Sequence, residues 1–301
     1  MKIVVAGETY SLSDSFDPSG AFAGEIKRRG KPPISIALEL DRTTDSPVLT
    51  GTLIEDANTS VLSALRAVFS KTNPALETGR HTLLFPPDAG QSDVSLYPAG
   101  HGYALVGIGI NGSIAAVGQL GDGTPFSTKS FVREDHSWAL FSQPYQGKGL
   151  LDGTLAFTQQ SSPSIDEISG TLHWQKPAMS KGPYASGFSG SIVTLGSRWT
   201  PPETGDAALD ITNWNLAIGN GVLAPPRTGA ATLSSANLFT LAGATGTKLT
   251  LAPKTGILSG SFPGGNGKPV KFSGALLQSQ RIGRGVFALP DKTGPVTLDP
   301  P

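Results

Sequence analysis

Residues 254–276 read KTGILSGSFPGGNGKPVKFSGAL, and this stretch decides the fold. Around Gly260 the order is apolar, any, Gly, any, apolar: Leu258-Ser259-Gly260-Ser261-Phe262. Around Gly274 it repeats as Phe272-Ser273-Gly274-Ala275-Leu276. Alternation with a period of two marks a strand with one buried face. The glycine falls on the same face as the two apolar residues. There it leaves room for tight coiling or for a facing side chain. The intervening Gly264-Gly265-Asn266-Gly267-Lys268-Pro269 is turn chemistry, because Gly and Asn supply the positive φ that hairpin turns need.

Working outward, the same five-residue pattern recurs at Phe22–Ile26, Leu49–Leu53, Leu151–Leu155, Ile168–Leu172 and Phe188–Ile192, with a weaker copy at Ala116–Leu120. A larger unit of strand, tight turn, Gly-kinked strand, Gly-Pro turn and strand surrounds the copies near Gly24, Gly118 and Gly260. That repetition predicts an internally duplicated, all-β chain of coiled antiparallel meanders, folded into one or two barrel-like or sandwich units. Further strands are expected at 9–16, 34–40, 80–85, 102–110, 126–133, 137–142, 207–218, 247–252, 284–289 and 295–298. Residues 59–70 suit either a short helix or a strand. Proline-rich stretches at 200–206 and then 86–100 are the best linkers, which divides the chain into 1–98, 99–200 and 201–301, units whose strands can combine into shared barrels.

Composition agrees. The 38 glycines and 24 prolines form about a fifth of the 301 residues, against about an eighth in average chains. Both residues disfavour long helices. Lys plus Arg equals Asp plus Glu at 23, so the chain lacks the basic excess of a nucleic-acid binder. There is no cysteine, which excludes disulfides, thiolate catalysis and Cys-ligated metals. No apolar run reaches the ~18 residues of a membrane span. The run at Met1–Gly7 is too short for a signal h-region and reads as a first strand.

Catalytic motifs are lacking, so no catalytic residue, metal site or cofactor is expected. Gly264–Pro269 superficially matches a phosphate loop but has no Ser or Thr and leads into a strand. The four histidines, His81, His101, His136 and His173, share no i, i+2 or i, i+4 spacing. Glu134-Asp135-His136 reads as a polar hairpin turn. Asp122, Asp152, Asp166 and Glu167 are the carboxylates to weigh for glycoside hydrolysis, which needs two of them facing across a sugar. Asp122, within Gly121-Asp122-Gly123-Thr124, is better explained as a turn residue bonding its own backbone. Trp138, Trp174, Trp199 and Trp214 are the large rings. Trp174 and Trp199, with Tyr184 in the loop between them, are the candidate ligand-binding residues for stacking on sugars; the alternative is that they plug barrel interiors.

The chain also resembles a β-rich module found near the C-terminus of very large secreted bacterial surface proteins, often behind Ig-like or other repeat domains. The resemblance is carried by Arg66–Pro74, Gly79–Leu83, Gly121–Thr124, Trp138–Phe141 with Tyr145–Gly149, Leu172–Pro177, Gly196–Trp199, Lys254–Gly260 and Phe272–Gln278. It implies an extracellular or cell-surface location and a structural or adhesion role, with polysaccharide or other surface proteins as partners. The alternatives are a carbohydrate-binding module and a polysaccharide-active enzyme with a carboxylate pair.

Overall fold

The computed structural model describes residues 2–5, 8–43, 48–159, 166–265 and 267–301, and among them there is no helix. The chain is all-β and internally duplicated. At the N-terminus, β1 (Lys2–Val5) and β2 (Glu8–Ser11) form a hairpin. A four-stranded meander follows: β3 (Ala21–Arg28), β4 (Lys31–Asp41), β5 (Val48–Glu55) and β6 (Asn58–Leu65). Residues 59–65 are therefore strand, and the chain leaves the sheet after Leu65. Pairing of Leu62 against Gly51 and Ala64 against Leu49 settles the choice that propensity left open.

The first barrel contains β7 (Gly79–Phe85), β8 (Gly102–Ile108), β9 (Ser113–Gln119), β10 (Pro125–Phe131), β11 (Ser137–Ser142), β12 (Leu150–Gln159), β13 (Asp166–Lys176) and β14 (Phe188–Arg198). Its ladder runs β10-β9-β8-β7-β14-β13-β12-β11. The seam between β10 and β11 is bridged by side chains: Thr128 Oγ1 donates to Phe141 O (2.6 Å), Ser142 Oγ to Ser127 O (3.2 Å) and Ser130 Oγ to Ala139 O (3.3 Å). The second barrel contains β15 (Asn213–Ile218), β16 (Arg227–Leu233), β17 (Phe239–Gly243), β18 (Lys248–Ala252), β19 (Ile257–Pro263), β20 (Pro269–Leu277), β21 (Ile282–Ala288) and β22 (Thr293–Asp299). It repeats the plan, with first and last strands β15 and β22 paired and the seam between β17 and β18. Residues 200–206 lie between the barrels. The stretch 86–100, expected as a linker, instead joins β7 to β8, because residues 79–85 pair with both β8 and β14.

Side chains fill both interiors. Every strand from β7 to β14 contributes to the first core, including Phe85, Trp138, Leu151, Leu172 and Trp174. Trp214, Leu216, Phe262, Phe272, Phe287 and Val296 build the second, and Trp199 closes one end of it. The glycines of the repeated pattern lie on the inward faces. A Cβ built on Gly260 would sit 2.1 Å from Lys248 O and 2.2 Å from the Phe272 ring, a separation no real Cβ adopts. Only glycine lets β18 and the ring approach this strand so closely.

The two barrels form one body. β7 turns Leu83 and Phe85 inward but presents Thr82 and Leu84 to the second barrel. β20 turns Phe272 and Leu276 inward but presents Ala275 and Leu277 to the first. Leu84, Ala275 and Leu277, with Tyr103, Ile257 and Ile282, make an apolar joint. Around it, Thr82 Oγ1 donates to Leu276 O (2.7 Å), His101 N to Gly285 O (3.1 Å) and Ser273 Oγ to Gln119 Oε1 (2.7 Å). Strands buried on both faces read as continuous apolar runs rather than alternation, which is how Leu83-Leu84-Phe85 and Ala275-Leu276-Leu277 read.

Candidate functional site

The densest polar cluster closes one end of the first barrel. Asp122 sits in the turn between β9 and β10, and its Oδ1 accepts Thr124 N (2.9 Å), the turn bond expected of it. Its Oδ2 accepts Thr124 Oγ1 (3.0 Å) and Tyr145 OH (2.7 Å), and lies 3.4 Å from Lys176 Nζ. The Asp122 and Lys176 side chains are 1% and 6% exposed. Trp174 and Lys176 reach the same interior because they lie two apart on β13. Trp174 Nε1 donates to Tyr145 OH (3.1 Å), and Lys176 Nζ stands 4.2 Å from the Tyr145 ring centre. Burial, then the Asp122 carboxylate, pushes the Tyr145 phenol far above its ordinary range, so it remains a proton donor.

A second relay continues from this turn across the barrel joint. Thr293 Oγ1 donates to Gly121 O (2.6 Å), so its hydroxyl proton is committed. Tyr184 OH must then donate to Thr293 Oγ1 (3.0 Å) while accepting from Thr293 N (2.9 Å). Burial raises the Tyr184 phenol as well. These groups hold loops and barrels together, and Asp122, Tyr145, Lys176, Tyr184 and Thr293 are all buried.

A different constellation lies on the outer face of β12, β13 and β14. Ser189 Oγ is 3.0 Å from His173 Nε2, and His173 Nδ1 is 3.4 Å from Asp152 Oδ1. Asp152 and His173 are directly opposed in the ladder, and Ser189 lies diagonally across the next pair. The order of nitrogens is that of a base poised between a hydroxyl and an orienting carboxylate. Hydrolysis also needs water exclusion and donors aimed at a developing oxyanion. Here the Asp152 and His173 side chains are about half exposed on an open sheet face. The trio reads as a cross-strand polar contact.

All three expected ligand-binding rings are buried: Trp174 in the first core, Tyr184 at the joint, and Trp199 at the end of the second barrel with its Nε1 donating to Pro253 O (2.9 Å). Trp138 and Trp214 are buried too. Nor are Asp122 and Asp152 brought to one cleft: Asp122 points into the first barrel and Asp152 outward. Asp166 and Glu167 start β13. His136 occupies the expected turn, with Asp135 Oδ1 accepting Ser137 N (3.1 Å), but also pairs through Nδ1 with buried Glu77 (2.6 Å). His81 lies inside the first barrel, and burial, then Arg198, holds its pKa down to about 3; burial, then Arg284, holds His101 at about 4. Among the described residues no cluster of three or more His, Asp or Glu has the arrangement of a metal site, and no helix is long and apolar enough to cross a membrane. Sequence reading missed Lys176 and the buried role of Tyr145. The alternation Trp174-Gln175-Lys176 is the one signal that puts a lysine on an inward face.

The fold defines a class: a duplicated pair of nearly closed, side-chain-filled, barrel-like sheets of eight antiparallel strands each. No family model, curated protein or solved structure matches the chain.

Proposed function

We propose that this chain is a non-enzymatic structural module, an extracellular or cell-surface spacer or adhesion element. The observation that carries the reading is the use of interior space. In both barrels the volume that ligand-carrying barrels leave open is occupied by packed side chains. The buried phenols of Tyr145 and Tyr184 are committed to holding turns and the barrel joint. Zero net charge gives no long-range steering of charged ligands, so any surface contact is short-range. The surface location rests on the resemblance to modules of large secreted proteins.

The test is a screen of soluble polysaccharides and activated esters with the whole chain. Neither retention nor released reducing ends is expected, and Ser189→Ala should leave the slow background ester hydrolysis unchanged. Specific retention on one glycan would replace this reading with a carbohydrate-binding one. Reducing ends lost with Asp152→Asn, or ester turnover lost with Ser189→Ala, would make the protein an enzyme.

A further inference from the structure

The two barrels differ at one end. Connections in an antiparallel meander alternate between ends, so those of β7–β8, β9–β10, β11–β12 and β13–β14 fall together. Their counterparts join β15–β16, β17–β18, β19–β20 and β21–β22. In the first barrel this end is stoppered. Connections 86–101, 120–124, 143–149 and 177–187 meet there, with Asp122, Tyr145, Lys176 and Tyr184 all buried. In the second barrel the connections are 219–226, 244–247, 264–268 and 289–292, each shorter than its counterpart. They leave a cup of about 540 Å³, lined from all four connections and by no residue of the first barrel.

The cup lies above the filled core. Phe262 and Val270, directly opposed on β19 and β20, form its floor with Leu223 and Leu289. All four belong to or pack against the second core. Pro225 and Pro226 form a wall whose φ angles are fixed by their rings, so it needs little ordering on binding. One charged side chain lines the cup. Arg227 begins β16 on its inward face, in step with Ala231 and Leu233. It is partly buried, its Nη2 donates to Pro263 O (2.8 Å), and its guanidinium stands 5.5 Å from the Phe262 ring centre. Arg28, Arg281 and Arg284 each hold a Glu or Asp, whereas among the described residues no carboxylate pairs with Arg227.

We propose that this cup binds a small organic acid, its apolar body seated on Phe262, Val270 and Leu289 and its carboxylate on the Arg227 guanidinium. The size fits, since small-molecule sites span about 300–1,000 Å³ and are mostly apolar with a few placed polar groups. The charge fits as well. A guanidinium fork matches a carboxylate with two parallel bonds, and Pro263 O and the Phe262 ring fix where that fork stands. A single cation between apolar walls suits a monoanion; a phosphate carries more charge and more acceptors than these walls meet. The first barrel shows the other use of this end. There the cation is Lys176, and the chain supplies its carboxylate, Asp122, under Tyr145. In the second barrel the carboxylate is the ligand's. The site goes beyond the structural reading, does not rest on it and involves no reaction.

NMR titration of the isotope-labelled whole chain with naphthoate tests this, with naphthylmethanol as the neutral probe of similar shape. Naphthoate should shift the amides of Leu223, Thr228, Phe262 and Gly264. It should bind at least about tenfold more tightly than the alcohol, the worth of a charge-assisted bond. Arg227→Met should erase that preference while the alcohol binds as before, which shows the cup intact. Arg227→Lys, which keeps the charge but not the fork, should retain only part of it. Three results would overturn the proposal: no shifts at those amides, an acid that binds no better than the alcohol, or a preference that survives Arg227→Met. The first two are read on the native chain, so they decide the matter even if the methionine variant fails to fold.

Discussion

The two barrels share a strand order but not a way of closing. The first encloses a lysine–aspartate pair under Tyr145 and Trp174 and zips its seam with Thr128, Ser130 and Ser142. The second closes around an apolar core in which the notable polar contact is peripheral, the Arg227 guanidinium 5.5 Å from the Phe262 ring centre. An apolar core is therefore enough for this topology, and the buried charges of the first barrel serve something else. They sit where the β9–β10 turn and the Tyr145 loop meet the Tyr184–Thr293 relay, so they fix one end of the first barrel in the shape that the second accepts.

The largest expected effect follows from removing half of that pair. Lys176→Ala leaves Asp122 buried without its cation and should cost about 3–5 kcal/mol in urea unfolding. Lys176→Met with Asp122→Asn should recover most of that loss, since a buried pair is often replaceable by neutral groups. A cost below about 1 kcal/mol for Lys176→Ala would show that the pair organises nothing.

Acid should separate the barrels next. All four histidines precede residue 199, so the second barrel has none. His81 and His101 are neutral in the fold, with pKa values of about 3 and 4, while the unfolded chain takes up a proton on each below about 6.5. Their folded pKa values are depressed, so stability is complete above pH 6.5 and falls as the pH drops below it. At pH 5, 1.5 units below the unfolded value, each costs about 2 kcal/mol. His81→Leu should flatten this slope in denaturant titrations between pH 7 and pH 5; an unchanged slope would mean that the ring is protonated in the fold.

Gly260→Val in the second barrel should cost about 1–3 kcal/mol by overpacking, and Gly153→Val in the first should cost more, because Gly153 also has a φ of 151° that a residue with a side chain rarely adopts. Gly265→Val, where a Cβ meets nothing within 4 Å, should change the melting temperature little. Equal effects at Gly260 and Gly265 would remove the argument for inward glycines. The smallest effect belongs to the seam. Thr128→Val should cost about 1 kcal/mol, read as faster exchange at β10 and β11 with no change at β17 and β18.

Much of this was legible in the sequence. The all-β class, the duplication and the inward glycines follow from period-two alternation with Gly on the apolar face, which is a local property. The boundary of the first barrel was not legible. His81-Thr82-Leu83-Leu84-Phe85 looks like any buried strand, and only pairing with β14, over 100 residues away, assigns it. The aromatic residues were ambiguous for the same reason. Trp174 and Trp199 flank a Pro-rich loop in sequence, but their ring faces are set by which barrel each strand joins. The Asp122–Lys176 pair joins a turn to a strand some fifty residues later, and no spacing rule reports such a contact.

The account depends most on the two barrels behaving as one body. Native-state hydrogen exchange on the intact chain, compared with Thr293→Val, measures this directly. Thr293 belongs to the second barrel yet bonds Gly121 and Tyr184 of the first. If the barrels unfold as one unit, the most protected amides of β13 and β20 share one opening free energy, and Thr293→Val lowers both equally, by about 1–3 kcal/mol. Two distinct opening free energies, with the loss confined to β20 and its neighbours, would contradict the account.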